Sequence, residues 1–310
     1  MKNVLPKVIF IVGPTASGKT ATSIFLAKKF NGEIVNADSR QVYKEMDIAT
    51  AKPIRDFDKQ LMGEFISDGV VHHLMDFVKP NERFTLSDYK EKANIAIADI
   101  LSRGKLPIVV GGTGLYIWSL VDNLDIPKVE PNSKLRKGFD SKTLDELIKL
   151  LSNIDPETVK KIDLKNRRRV LRALEVAISS GESFVAQTTK SNPLYNSLQI
   201  GLKCNREKLY KIINNRIDQQ MQSGLLEETN KLSKKYPWDL PSMSSIGYKQ
   251  IGNFLRNEAT IEEAVELFKR DTRRYAKRQE TWFKRDKRIV WISPEDVVEA
   301  QKMVTKFLDK

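Results

Sequence analysis

The sequence predicts an α/β fold: a P-loop NTPase-like parallel sheet flanked by helices, with a mostly helical insertion domain. Three observations carry that expectation. The apolar run Val8–Val12 ends in Gly13-Pro14-Thr15-Ala16-Ser17-Gly18-Lys19-Thr20, which fits the phosphate-loop pattern G-x-x-x-x-G-K-[ST] at every fixed position. Strand-like runs alternate with helical patterns on either side of residues 123–197. That middle stretch itself has helical periodicity, many charges and no clear strand. The expected organisation is therefore an α/β catalytic core made of residues 1–122 and 198–310, with a helical insertion at 123–197.

The strand expectations run in order through Val8–Val12, Glu33–Ala37, Ile108–Val110, Leu198–Cys204 and Arg288–Ile292, with a helix over Leu86–Arg103. The first and third of these, Val8–Val12 and Ile108–Val110, are short uninterrupted apolar runs, as expected for strands buried on both faces. In the insertion, Val170, Leu171, Leu174 and Ile178 have helical spacing behind the cationic start Arg167, Arg168, Arg169 and Arg172. A second basic segment spans 268–288, where Arg270, Arg273, Arg274, Lys277 and Arg278 fall on one helical face.

The chain has 310 residues, enough for one large domain or two ordinary ones, and 40% of them are hydrophobic. No apolar run approaches the ~18 residues of a membrane span. The amino terminus runs directly into the first strand and leaves no room for a secretion signal. A single cysteine, Cys204, excludes an internal disulfide and any multi-cysteine zinc site, and it reads as a packed structural thiol. The expected location is the cytoplasm, and the absence of an exposed apolar heptad favours a monomer.

The formal net charge is +13. A small phosphorylated substrate needs only a local positive pocket, so an excess of this size points to a polyanion, nucleic acid first; a generally basic, solvated surface is the alternative. Tyr275, Trp282 and Phe283 interleave with the basic stripe at 268–288, a pattern that suits phosphates and unstacked bases, or plain core packing for the aromatics.

The phosphate loop, Gly13 to Thr20, is expected to form an anion nest at a helix amino terminus, with Lys19 as a mobile cation and the Thr20 hydroxyl as a Mg²⁺ ligand. Asp38 follows the second strand, at the sheet edge where ligands bind in open α/β folds; it can hold Mg²⁺, accept a proton, or merely cap a helix. Thr113, in "VVGGTGLY", presents a hydroxyl at the same edge. The nest recognises phosphate oxygens and does not by itself say which phosphate.

The segments "GPTASGKT", "NADSRQVYKEMDIATAKP", "HHLMDFV", "VVGGTGLY", "NNRIDQQMQSGLLEE", "PSMSSIGYKQ" and "TRRYAKRQETWFK", in this order from about residue 8 to 285, resemble the successive signatures of bacterial tRNA dimethylallyltransferases, the IPP transferase family. The resemblance implies a prenyltransferase that moves the dimethylallyl group of dimethylallyl diphosphate onto N6 of the adenosine 3′ of the tRNA anticodon, position 37, with release of pyrophosphate. It implies that Gly13–Thr20 hold the diphosphate with Mg²⁺, that Asp38 is the general base, and that Thr113 and Arg216 serve the leaving group. It further implies contacts to the anticodon stem-loop from Asp38, Ser39, Arg40 and Gln41, from Arg136, from Arg168, Arg169 and Arg172, and from Ser245, Gly247, Tyr248 and Lys249. Arg274 and Arg278 of the basic stripe are RNA-binding candidates on charge. Glu45 and Ala49 stand where the family usually has glycine, and are expected to affect the flexibility of the loop beside Asp38.

Three rivals share parts of this pattern. A small-molecule or nucleoside kinase explains the loop but not the two basic helices. A nucleic-acid-dependent P-loop NTPase explains loop and charge, but no strand ends in a hydrolytic "hhhhDE" pattern. An adenylate isopentenyltransferase has no use for a strongly basic insertion.

Overall fold

The structure is a computed structural model that describes residues 5–56, 64–130 and 132–310. They divide into two compact units, one from residues 1–120 with 194–310 and one from 121–193. The chain passes from one unit to the other slightly earlier, at both ends, than the expected 123–197.

The first unit is built on a seven-stranded sheet. The strands are β1 (Lys7–Val12), β2 (Gly32–Asn36), β3 (Phe65–Ser67), β4 (Val70–His73), β5 (Leu106–Gly111), β6 (Asn196–Leu202) and β7 (Val290–Ile292). Their order is β3-β4-β2-β5-β1-β6-β7. All neighbours pair in parallel except β3, which runs antiparallel to β4. Each expected strand is present, with ends displaced by a few residues. β6 starts earlier because Asn196 already pairs with Lys7, and it stops at Leu202, leaving Cys204 beyond it. Burial of Val8–Val12 is complete, which explains an apolar run without alternation. The β3–β4 hairpin was not expected; its strands are only three and four residues long, and the legible signal is Asp68-Gly69, both at positive φ in the turn.

One face of the sheet presents Ile9, Ile11, Ile108 and Ile200 to α1 (Lys19–Lys29) and α12 (Val297–Leu308), where Leu26, Ala27, Ala300 and Val304 close the cluster. α2 (Leu86–Ser102) packs on β2 and β5. It begins where expected because Thr85 and Asp88 form a reciprocal capping box, worth about 1 kcal/mol. α3 (Gly114–Val121) follows β5.

Four helices lie between β6 and β7: α8 (Arg206–Gln222), α9 (Leu225–Ser233), α10 (Tyr248–Leu255) and α11 (Ile261–Phe283). They enclose a separate apolar cluster that includes Leu209, Ile213, Ile217, Phe268 and Ala276. Val42, Tyr43 and Met46 from the loop after β2 join that cluster. This fastens the loop carrying Asp38 to helices more than 150 residues away in sequence.

The second unit holds α4 (Ser133–Gly138), α5 (Leu144–Ile154), α6 (Pro156–Lys161) and α7 (Arg167–Ser180) around Leu147, Leu151, Val170, Ala173 and Leu174. Its one β feature among the described residues is the isolated bridge Leu124–Lys190.

Candidate active site

The phosphate loop leaves β1 through Gly13, at φ 146°, where a Cβ would lie 2.7 Å from the Leu202 carbonyl oxygen. The first turn of α1 begins at Lys19, and its N–H groups have no intrahelical partner. Such free main-chain N–H groups are what an anion nest requires. The Lys19 ammonium donates to the Pro14 carbonyl at 2.6 Å. Burial pushes it down to about 8, with Asp38 pulling the other way and Arg216 adding to the depression. Thr15 donates its N–H to Gln279 Oε1 at 2.8 Å.

Asp38 directly precedes a run of turns and no helix begins there, so the helix-cap alternative falls. Its Oδ1 accepts the Arg40 N–H at 2.8 Å, and its own N–H donates to Asn36 Oδ1 at 3.1 Å. Thr113 is brought beside it. The Thr113 N–H donates to the Ala37 carbonyl at 3.2 Å, and Thr113 Oγ1 accepts the Ser39 N–H at 3.0 Å. The Tyr275 hydroxyl shares a hydrogen bond with Thr113, and burial together with the Asp38 charge pushes that phenol well up. Arg216 on α8 is half-buried; burial lowers its pKa and Asp38 opposes the shift. Asp38, Lys19 and Arg216 therefore sense one another, although Asp38 forms no ion pair with either among the described residues.

Asp38 and Arg216, though neither Lys19 nor Thr113, line a pocket of about 330 Å³ whose wall includes Thr15, Ser39 and Tyr275 on the polar side and Ala49, Ile213, Ile217, Ile246 and Phe268 on the apolar side. The apolar wall was missed. Its signal is the α8 stripe Ile213, Arg216, Ile217, Gln220, spaced i, i+3, i+4, i+7, in which one arginine interrupts an otherwise inward face. Gln279 was also missed.

The expected RNA contacts separate into groups. Ser245 and Arg278 line the pocket, with Arg40, whose guanidinium donates to the Pro241 carbonyl at 2.7 Å. Arg274, Lys249, Arg168 and Arg169 are exposed. Gln41 spends its amide on the Thr50 and Ala51 carbonyls. Tyr248 must be corrected. It is fully buried, and its hydroxyl donates to Glu228 at 2.6 Å, so it anchors α10 and has no surface for a ligand. Gly247, also buried, lets α10 close on the loop, since a Cβ there would meet that of Ala49 at 2.7 Å. In the second unit, Arg136 and Arg172 both bind the buried Glu175, which the guanidiniums hold below the usual carboxylate range against the opposing effect of burial. Of the aromatics, Phe283 is core and Trp282 packs on Trp118 at 4.6 Å; only Tyr275 faces the pocket.

Glu45 and Ala49 both make contacts in the loop beside Asp38. Glu45 has φ 63° and its carboxylate accepts from Lys235 and Tyr236. Ala49 lines the pocket. Cys204 is partly buried against the α8–α11 cluster, and burial raises its thiol.

No group of three or more His, Cys, Asp or Glu suited to a metal occurs among the described residues. The oxygens at hand are the exposed Thr20 hydroxyl and the Asp38 carboxylate. That set fits a Mg²⁺ carried mainly by substrate phosphates rather than by a protein cage.

A phosphate loop after β1, with a carboxylate, an arginine and an apolar wall around the adjoining pocket, defines the class as a phosphate-loop α/β protein. A family model described as IPP transferase matches residues 41–286. A tRNA dimethylallyltransferase of Acetivibrio thermocellus is 42% identical, with 97% of this chain and 96% of the relative covered. One from Anoxybacillus flavithermus is 40% identical, with 97% and 95% covered. The crystal structure of the tRNA isopentenylpyrophosphate transferase of Bacillus halodurans aligns with a TM-score of 0.72 at 37% identity, covering 98% of this chain and 97% of that one. A eukaryotic dimethylallyltransferase crystallised acting on tRNA aligns with a TM-score of 0.78 at 29% identity, covering 98% and 77%. The chain belongs to the IPP transferase family.

Proposed function

We propose that this protein transfers the dimethylallyl group of dimethylallyl diphosphate to N6 of the adenosine 3′ of the tRNA anticodon, position 37, and releases pyrophosphate. The observation that carries this reading is a pocket in which Arg216 and Asp38 meet an apolar wall, with Lys19 of the adjoining phosphate loop close enough to feel both charges. The phosphate loop, Lys19 and Arg216 bind the diphosphate. As the allylic C–O bond breaks, its electron pair leaves with pyrophosphate, and these fixed cations stabilise the growing charge. Ile213, Ile217 and Phe268 shelter the five-carbon group from water. The adenine amine is a weak nucleophile because its lone pair is delocalised into the ring. Its nitrogen forms the new C–N bond while Asp38 takes the departing proton. The Ser39 N–H and the Tyr275 hydroxyl hold Thr113 at the same edge. Mg²⁺, held by Thr20 and the diphosphate, would supply further charge neutralisation. The target base must leave its stack to reach the pocket, at a cost of a few kcal/mol.

RNA is held through Arg274, Arg278 and Lys249 and, in the helical unit, through Arg168 and Arg169. Arg136 and Arg172 contribute there chiefly by fixing α4 and α7 through Glu175. No described helix is long and apolar enough to cross a membrane, and the reading places the protein in the cytoplasm as a monomer.

The test is mass analysis of tRNA nucleosides after incubation of unmodified tRNA with the protein, Mg²⁺ and labelled dimethylallyl diphosphate. N6-(dimethylallyl)adenosine at position 37 is the expected product. Consumption of ATP without alkylation, or label on free AMP, overturns the reading.

A further inference from the structure

The Gln279 side chain is 5% exposed and lies between the two loops that carry the chemistry. Its Oε1 accepts the Thr15 N–H of the phosphate loop, across 264 residues of sequence. Its Nε2 donates to the Gly112 carbonyl at 2.9 Å, across 167 residues. Gly112 directly precedes Thr113. The fit is tight: a Cβ on Gly112 would fall 2.1 Å from Gln279 Nε2. Both ends of the amide are thus satisfied, and the Thr15 N–H is spent inside the protein instead of on a ligand.

Gln279 belongs to α11, one turn beyond Tyr275, which bonds Thr113, and beside Arg278, which lines the pocket. Arg274 on the same helix is 63% exposed. One rigid element therefore carries pocket and surface arginines and grips both loops of the reaction centre.

We propose that Gln279 is a positioning residue that locks the phosphate loop to the Gly112–Thr113 turn, so that the diphosphate nest is ordered by the helix that bears the RNA-facing arginines. This rests on the diphosphate reading given above. Gln279 does not line the pocket. It acts through Thr15 and Gly112, because the conformation of a nest made of main-chain N–H groups is set by whatever holds the main chain.

Two substitutions break the lock from opposite sides. Gln279→Ala removes both hydrogen bonds. Gly112→Ala puts a methyl group where the amide lies and displaces it. Each alone should weaken binding of inorganic pyrophosphate about tenfold and slow single-turnover prenyl transfer by a similar factor. An anticodon stem-loop should still bind to both, within about twofold of the unmodified protein. In the double variant the new methyl occupies vacated space, so its losses should equal those of Gln279→Ala alone. Gln279→Met, which fills the volume without either bond, carries the test if the alanine variant does not fold.

Additive losses overturn the proposal. So does stem-loop affinity that falls in step with pyrophosphate affinity, the mark of general disruption. Unchanged pyrophosphate affinity in both single variants overturns it as well. If the unmodified protein binds no pyrophosphate, the functional reading itself fails, before any variant is made, and the proposal falls with it.

Discussion

Glu33 and Asp38 stand near opposite ends of β2 and show what the fold does with two carboxylates. Glu33 is buried and fully partnered: Arg103 donates to both its oxygens at 2.5 and 2.6 Å, Lys105 to Oε1 at 2.6 Å, and the His73 ring lies 2.7 Å from Oε2. Burial works against its ionised form, but these partners outweigh it and hold the carboxyl well below its usual range. Asp38 is half-buried, accepts one main-chain N–H, and faces a pocket with Lys19 and Arg216 near but not paired to it. Saturating a carboxylate with donors ties the sheet to α2. Leaving one with spare acceptor capacity beside incompletely paired cations is what the proposed base and anion site require.

Asp38→Asn breaks the comparison most sharply. Single-turnover prenyl transfer should fall on the order of 10²–10⁴-fold while stem-loop affinity survives, and an unchanged rate would remove the base role. Arg216→Ala follows, with a loss of about 10²–10³ in transfer rate and weaker pyrophosphate binding, measured by rapid quench and titration calorimetry. At the other end of β2, Glu33→Gln should lower unfolding stability by about 2–3 kcal/mol, less than a wholly buried pair because Arg103 and Lys105 are partly exposed, with the transfer rate of the folded protein intact. The sign of its pH dependence follows from the depressed pKa. The stabilisation is complete above the unfolded value near 4.5 and is lost as pH falls below it, so denaturant melts should show a shallower acid loss in Glu33→Gln than in the parent.

Lys19 sharpens the contrast from the cationic side. Its charge is present below about 8 and lost above it, so pyrophosphate affinity should decline by up to about tenfold per pH unit beyond that point, and Lys19→Arg should flatten the profile. The smallest effect is expected far from both carboxylates. Arg168→Ala should cost only a few-fold in tRNA affinity and reduce the log–log salt slope by about one unit, read from filter binding at several salt concentrations.

Local patterns made much of this protein legible. An octet of eight consecutive residues encodes the phosphate loop, and uninterrupted apolar runs encode strands buried on both faces. Asp38 and Thr113 were readable because each follows a strand end, where open α/β sheets place their ligands. The β3–β4 hairpin escaped because its strands are too short to show a period, despite its Asp-Gly turn. Tyr248 was misassigned because a signature motif does not distinguish a residue that touches a ligand from one that supports the residue that does. Arg136 and Arg172 carry the charge that RNA binding asks for, yet Glu175, placed between them by packing, engages both.

What the chain order alone determined is the chemistry available: a nest for phosphate, a carboxylate at the right edge, a surplus of positive charge. Which groups share one pocket was decided only in three dimensions, because Ile213, Arg216, Phe268, Tyr275 and Gln279 approach the phosphate loop across roughly 200 residues or more of intervening sequence. Periodicity reports which face of a helix turns inward, and carries no information about what that face will meet.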